Sequence, residues 1–377
     1  MKRFFAWCKT EIVLCVAVLL ALVSAMFVIP DRQYWDYIDF RTLGILFCLM
    51  AIMAGLQKIG LFQYIAERLL DKVQALRGIV FVLIMLCFFS SMLITNDVAL
   101  ITFVPFTFVV LKIVFPKQSG KLVVPIVAMQ TVAANLGSML TPIGNPQNLY
   151  LFGKTSLNFA EFMLLMLPYT VVSFGILAAW CVVFRYDGPK KLQLGLEKKC
   201  MPKGTGKELV VYGILFVLCL LTVAHLVPWT ITFAVVVCVC LIMDRSILCK
   251  VDYALLFTFI GFFVFIGNMG RIPAFYTFLQ KIIDGNEVLT SVISSQFISN
   301  VPAALLLSGF TKQYEALIVG TNLGGLGTLI ASMASLISFK YIGKEYKDLR
   351  GRYVFYFTVS NLIFLVVLLG LEFIKFS

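Results

Sequence analysis

Residues 79–111 are apolar almost throughout, yet their centre carries Thr95-Asn96-Asp97, a hydroxyl, an amide and a carboxylate in a row. That stretch limits the fold more than any other. So apolar a run belongs in a bilayer, and a carboxylate placed there is costly enough to need a partner or a task. Residues 288–311 repeat the pattern around Ser299-Asn300-Val301. The chain therefore makes the same kind of polar tip twice.

The 377 residues are 61% hydrophobic and 13% charged, against roughly 25% charged in soluble domains, and the mean hydropathy is +0.98. The fold class that follows is an all-α polytopic membrane protein. Apolar runs at 12–29, 42–57, 122–150, 159–184, 209–226, 228–243, 252–268, 313–339 and 353–374 give about nine transmembrane helices. Lys2, Arg3 and Lys9 before the first run resemble the start of a signal peptide, but 12–29 rises about 27 Å as a helix, enough to cross and stay attached. The stretch 79–111 is too long for one crossing and too short for two with a turn, and 288–311 is shorter still. Both are expected to be re-entrant helical hairpins. Polar backbone at that depth is tolerated only where protein or water covers it, so each tip is a candidate site.

Charge supports this layout. With a cytoplasmic N-terminus and both hairpins returning to the side they entered, the outer segments hold only Arg32, Arg41, Lys154, Arg271, Lys281, Lys312 and Lys375 of the 31 Lys and Arg. A single crossing at 79–111 would turn the basic stretch 185–207 outward, against the positive-inside rule. The C-terminus then lies outside, in an integral protein of the plasma (inner) membrane.

An internal repeat is also present. Asp39 through Gly60 parallels Asp252 through Gly270, and each is followed by a short amphipathic segment (61–72, 272–284), a hairpin and a long span. The long spans share Asn135-Leu136-Gly137 up to Thr141 and Asn322-Leu323-Gly324 up to Thr328. The extra span at 209–226 reverses the second copy, which makes the repeats inverted. The chain divides into a first repeat, 12–184, a basic linker with a connecting helix, 185–227, and a second repeat, 228–374. Inverted repeats with broken helices are the usual build of alternating-access carriers. In 122–150, Gly137, Pro142, Gly144 and Pro146 among Asn135, Asn145, Gln147 and Asn148 predict a broken helix. In 313–339, Gly320, Gly324, Gly325 and Gly327 without proline predict a milder break.

The tip Thr95-Asn96-Asp97, the segment from Gly137 to Asn148, and Ser299-Asn300-Val301 with Asn322-Leu323-Gly324-Gly325 resemble the ion transporter superfamily. These are the citrate-transporter-like permeases, which include divalent anion/sodium symporters and arsenite permeases; the resemblance covers roughly residues 40–340. It implies an elevator-type carrier, commonly a homodimer. By position, Thr95 and Asn96 with Gly144 would form one cation site, and Ser299 and Asn300 with Ala331 its inverted partner, with sodium possible at both. Asn145 and Ser332 would line the anion between them, beside Asn96, Asp97, Ser299 and Asn300. The symporters place a threonine where this chain has Asp97 and Val301. An ionised Asp97 beside a dianion would be repelled, so it must bind a cation, hold a proton or turn away.

The function expected is therefore a secondary active transporter of a small anion, a di- or tricarboxylate or an oxyanion, coupled to Na+ or H+ through Asp97. A sodium/proton antiporter, an arsenite-type efflux permease and a gated anion channel are the alternatives. Simple helix capping is the competing reading of Asp97, Asn96 and Asn300, and close helix packing that of the glycines. No arginine or lysine falls at membrane depth, so amides, helix N-termini and bound cations would have to hold an anion. No phosphate loop, histidine pair or nucleophile elbow is present, so the chain is not expected to be an enzyme or to need a cofactor beyond the coupling ion. The net charge of +12 sits in loops, which points to lipid headgroups rather than nucleic acid. The cysteines are expected as packing residues, His225 as interfacial, and Asp39 and Glu161 as membrane-edge anchors.

Overall fold

A computed structural model of the chain describes residues 11–73, 75–114, 119–184 and 205–376. Lys2, Arg3, Lys9 and most of the basic linker lie outside the described residues. Every regular element among those described is helical: α1 (Ile12–Phe27), α2 (Gln33–Tyr37), α3 (Phe40–Lys58), α4 (Leu61–Leu70), α5 (Leu76–Ile94), α6 (Asn96–Val114), α7 (Ser119–Ser138), α8 (Pro146–Phe152), α9 (Phe159–Val183), α10 (Thr205–Val223), α11 (Trp229–Met243), α12 (Tyr253–Gly270), α13 (Pro273–Ile283), α14 (Glu287–Ile298), α15 (Asn300–Ser308), α16 (Tyr314–Gly324), α17 (Met333–Glu345) and α18 (Arg350–Phe376). Eight of them, α3, α5, α6, α7, α9, α10, α12 and α18, are long and apolar enough to cross a membrane, and α1 and α11 are apolar but shorter. This differs in detail from nine whole spans, because the run 313–339 is cut into two helices too short to cross alone and both arms of the first hairpin reach crossing length.

That second point is a correction. Each arm, α5 and α6, has 19 residues and rises about 28 Å, because the hairpin occupies 76–114 rather than 79–111 alone. The turn consumes only Thr95, and the helices extend past the apolar run into Leu76-Arg77-Gly78 and Lys112-Ile113-Val114. A hairpin of this length still returns to the end of the bundle from which it starts. The second hairpin is short, with 12 residues in α14 and 9 in α15, about 18 and 13 Å.

The second break is also not mild. Helix ends at Gly324 and resumes at Met333, against Ser138 and Pro146 in the first break, so the proline-free break is at least as long. Its glycines do the work of the prolines. Gly327 sits at φ +105°, where a Cβ would lie 2.4 Å from Gln296 Oε1. Gln296 Nε2 donates to the Gly324 and Leu326 carbonyls at 3.0 and 2.9 Å, and its Oε1 accepts from Thr328 N–H at 2.9 Å. One side chain thus satisfies the backbone groups that the break releases.

Asp39 and Glu161 are helix caps. Asp39 accepts from Thr42 N–H at 2.9 Å to start α3, and Asp252 does the same for α12 through Leu255 N–H at 3.0 Å. Glu161 closes a capping box with Asn158 at the head of α9. His225 follows α10, with Nε2 3.1 Å from Arg41 Nη2. Burial first, and Arg41 second, push its imidazole below the usual value, so it is neutral at pH 7. Cys48, Cys87, Cys181, Cys219 and Cys240 are buried free thiols, whereas Cys238 and Cys249 are exposed.

Polar contacts join residues that charge places on the same face: Lys58 with Asp244, Lys112 with Glu345, Arg271 with Asp31 and Arg41 with His225. The Lys58 ammonium, with Ser246, holds the Asp244 carboxyl down at about 2. A folded value below the free one of about 3.9 stabilises the fold above that pH, and the contribution disappears as pH falls through about 2. Lys58→Met is therefore expected to lower the melting temperature slightly at neutral pH and not at all in strong acid; Lys58 is exposed and Asp244 only half-buried, so the effect stays small.

Candidate functional site

The two hairpin tips have the same backbone. Thr95 sits at φ 69°, ψ 152° and Ser299 at φ 74°, ψ 154°. Only His225 joins them as a non-glycine residue with positive φ among those described. Such a conformation costs about 1–3 kcal/mol per residue and persists only where surrounding structure holds it. It lets one residue end one helix and start the next. At each tip the asparagine then folds back on the new helix: Asn96 Oδ1 accepts from Asp97 N–H, and Asn300 Oδ1 from Val301 N–H, both at 2.9 Å.

Close packing seats each tip against a broken helix. A Cβ on Gly137 would lie 1.9 Å from the Phe88 carbonyl and 2.6 Å from Ser91 Oγ, and one on Gly324 would lie 2.5 Å from Ser295 Oγ. Thr141 Oγ1 donates to the Met92 carbonyl at 2.5 Å, and Thr328 Oγ1 to that of Gln296 at 3.3 Å. Residues that correspond in the two sequence motifs make corresponding bonds.

The breaks also hold each other by exchanged partners. Asn145 Nδ2 donates to Asn322 Oδ1 at 3.3 Å, and Ser332 Oγ to Asn135 Oδ1 at 3.1 Å. Asn322 Nδ2 donates to Asn148 Oδ1 at 2.6 Å, and Asn135 Nδ2 to Ser335 Oγ at 3.4 Å. Asn96 Nδ2 joins the first tip to this network through Asn135 Oδ1 at 3.0 Å, and Asn300 N–H joins the second through the Ala331 carbonyl at 2.9 Å. All these side chains are buried. Lysine, arginine and histidine take no part in these bonds.

Of the residues singled out from the sequence, Asn96, Asn145, Ser299, Asn300, Ala331 and Ser332 lie in this one network. Thr95 and Asp97 stand beside it, half-buried. Gly144 is in the first break, where a Cβ would meet the Ser138 carbonyl at 2.1 Å, but no hydrogen bond links it to Thr95 or Asn96 among the described residues. Asp97 does not cap α6 with its carboxylate: its Oδ1 is buried without a partner, as are Asn145 Oδ1 and Gln147 Nε2. Asn148 is structural, its Nδ2 reaching the carbonyls of Ser138, Met139 and Thr141 at 3.4, 3.5 and 3.2 Å.

Asn135 and Asn322 are the connecting residues, and their recurrence before Leu-Gly is the signal that marks them in the sequence. Gln296 carried no signal, being one polar residue among several in its arm. Removing the Asn135 amide leaves Asn96 Nδ2 and the Ser332 hydroxyl without their acceptor. At about 1–3 kcal/mol per buried group left unpaired, Asn135→Ala is expected to lower the melting temperature clearly and to abolish transport.

Four helices, α6, α8, α15 and α17, begin at this junction, and four others, α5, α7, α14 and α16, end there. The starts present positive dipole ends and the ends present free carbonyls, so the same small volume suits an anion and a cation side by side. The side chains of Asn145, Ser299 and Ser332 stand at three of the starts without capping them.

The chain is similar to known membrane transporters over nearly all of its length. A family model described as citrate transporter matches residues 4–316. An uncharacterized transporter of Methanocaldococcus jannaschii is 32% identical over 357 residues, 94% of each chain. Inner membrane protein YbiR of Escherichia coli is 27% identical over 332 residues, 84% of each chain. A silicon efflux transporter of Oryza sativa subsp. japonica is 27% identical over 190 residues, 48% of this chain and 38% of its own.

Proposed function

The chain belongs to the citrate transporter family, and from that premise we propose that this secondary transporter carries a small anion, a di- or tricarboxylate or an oxyanion, coupled to sodium or protons. The observation that supports this best is the meeting of helix starts and helix ends in one buried amide network. Helix starts hold the anion, carbonyls and Asp97 hold the coupling cation, and neither needs a basic side chain. Alternating access then moves the hairpins and broken helices, as inverted repeats, against a scaffold of the remaining spans in an elevator manner. The carrier works as a homodimer in the plasma (inner) membrane, with its N-terminus cytoplasmic.

The test is uptake by purified protein in liposomes, comparing citrate, succinate, sulfate and arsenite under imposed sodium and proton gradients. Saturable uptake of one of these, driven by one gradient, is expected; equal uptake with and without both gradients would remove the coupled-carrier reading. A second reading has its own support. The Oryza sativa relative is named for silicon efflux, and an unpartnered Asp97 oxygen suits a hydroxyl donor, so a protonated oxyacid moving outward is the alternative. Arsenite flux without competition from citrate or succinate would favour it.

A further inference from the structure

The two tips are built alike but docked differently. At the second, Asn300 N–H donates to the Ala331 carbonyl at 2.9 Å, and Ser299 Oγ reaches that carbonyl and Asn300 Oδ1 at 3.5 Å each. Asn300 Oδ1 also accepts from Val301 N–H at 2.9 Å. The oxygens that a cation would use there are thus engaged with one another and with backbone donors. An N–H aimed at the Ala331 carbonyl puts the positive end of a dipole where a cation would sit. Val301 is buried and brings no charge.

At the first tip Asn96 Oδ1 is engaged in the same way, with Asp97 N–H at 2.9 Å, but the remaining oxygens differ. The Gly144 carbonyl and the Thr95 hydroxyl make no hydrogen bond among the described residues, and Asp97 Oδ1 is buried without a partner. Here Asn96 docks through its amide onto Asn135 instead, and its backbone makes no bond to Gly144. A half-buried carboxylate whose inner oxygen has no hydrogen-bond partner and no basic neighbour favours a counter-charge. The Thr141–Met92 and Thr328–Gln296 bonds and the exchanged bonds between the breaks do recur in matched form, so the unequal docking of Asn96 and Asn300 stands out at the cation positions.

We propose that each chain binds one exchangeable monovalent cation, sodium or a proton competing for the Asp97 carboxylate at the first tip, and that the matched position at the second tip, latched by the Asn300–Ala331 bond, takes none. This rests on the carrier reading of the junction, but departs from the paired cation sites that the sequence resemblance implies. The second tip is then held by hydrogen bonds alone, and the first by its ion.

The test is equilibrium binding of radioactive sodium to the purified full-length chain, with pH varied. One sodium per chain is expected at alkaline pH, displaced on acidification. Asp97→Asn should weaken binding by about tenfold or more, with a melting curve confirming that the variant is folded. Should it fail to fold, Asp97→Glu carries the test, because a longer carboxylate shifts the pH at which protons displace sodium. Two sodium ions per chain, none at any pH, no competition by protons, or binding unchanged in both variants would each overturn the proposal. Two bound ions with gradient-driven uptake intact would remove this stoichiometry alone; one bound ion with no uptake of any anion would leave it and remove the carrier reading.

Discussion

Asp97→Asn should uncouple transport. Uptake by the variant is expected to lose its response to the driving ion gradient, falling at saturating gradient by a factor of about 5–150, the span of ordinary coupling free energies of ~1–3 kcal/mol. The substitution is nearly isosteric and keeps the backbone N–H that Asn96 Oδ1 accepts, so the tip itself has no reason to collapse. What changes is the charge: an amide cannot exchange a proton or neutralise a cation, while it still offers an oxygen to the site. The measurement is uptake in liposomes at several pH values and sodium concentrations. A variant retaining the wild-type dependence on both would show that Asp97 has no part in coupling.

Gly137→Ala should prevent the fold from forming. The added methyl would stand 1.9 Å from the Phe88 carbonyl and 2.6 Å from Ser91 Oγ, and the nearest obstacle is backbone, which cannot rotate aside. Ordinary overpacking costs about 1–3 kcal/mol; here α5 would have to move off α7, breaking the Thr141–Met92 and Asn96–Asn135 bonds as well. Loss of monodisperse protein in gel filtration is expected. Gly213→Ala is the control, since a Cβ there meets nothing within 4 Å, and it should behave as wild type.

Much of this was legible in the sequence because apolar length and polar interruption are strong signals in a membrane protein. The spans 159–184, 228–243 and 252–268 fall within a residue or two of the helices found, and both tips were placed to the residue. The depth of the second break was not legible. Proline announces a break by removing an N–H, whereas the Gly325–Gly327 break depends on Gln296, a residue of another helix that no local pattern ties to it. Hairpin length is hidden for a related reason: a turn of one residue at φ 69° is unusual for threonine, so the sequence implies a longer loop. The site residues chosen from matched motifs were brought together, but the bonds that connect them run through Asn135 and Asn322, whose partners lie in the other half of the chain.

The unequal hairpins have an electrical consequence. From the junction toward the base of the second hairpin, α15 and α16 run 9 and 11 residues, about 13–16 Å. Toward the base of the first, α17 and α7 run 13 and 20 residues, about 20–30 Å. A cation arriving from the second-hairpin side therefore crosses the smaller share of the membrane field, worth about 2.3 kcal/mol per charge per 100 mV over its whole width. Membrane voltage should act weakly on ion binding from that side.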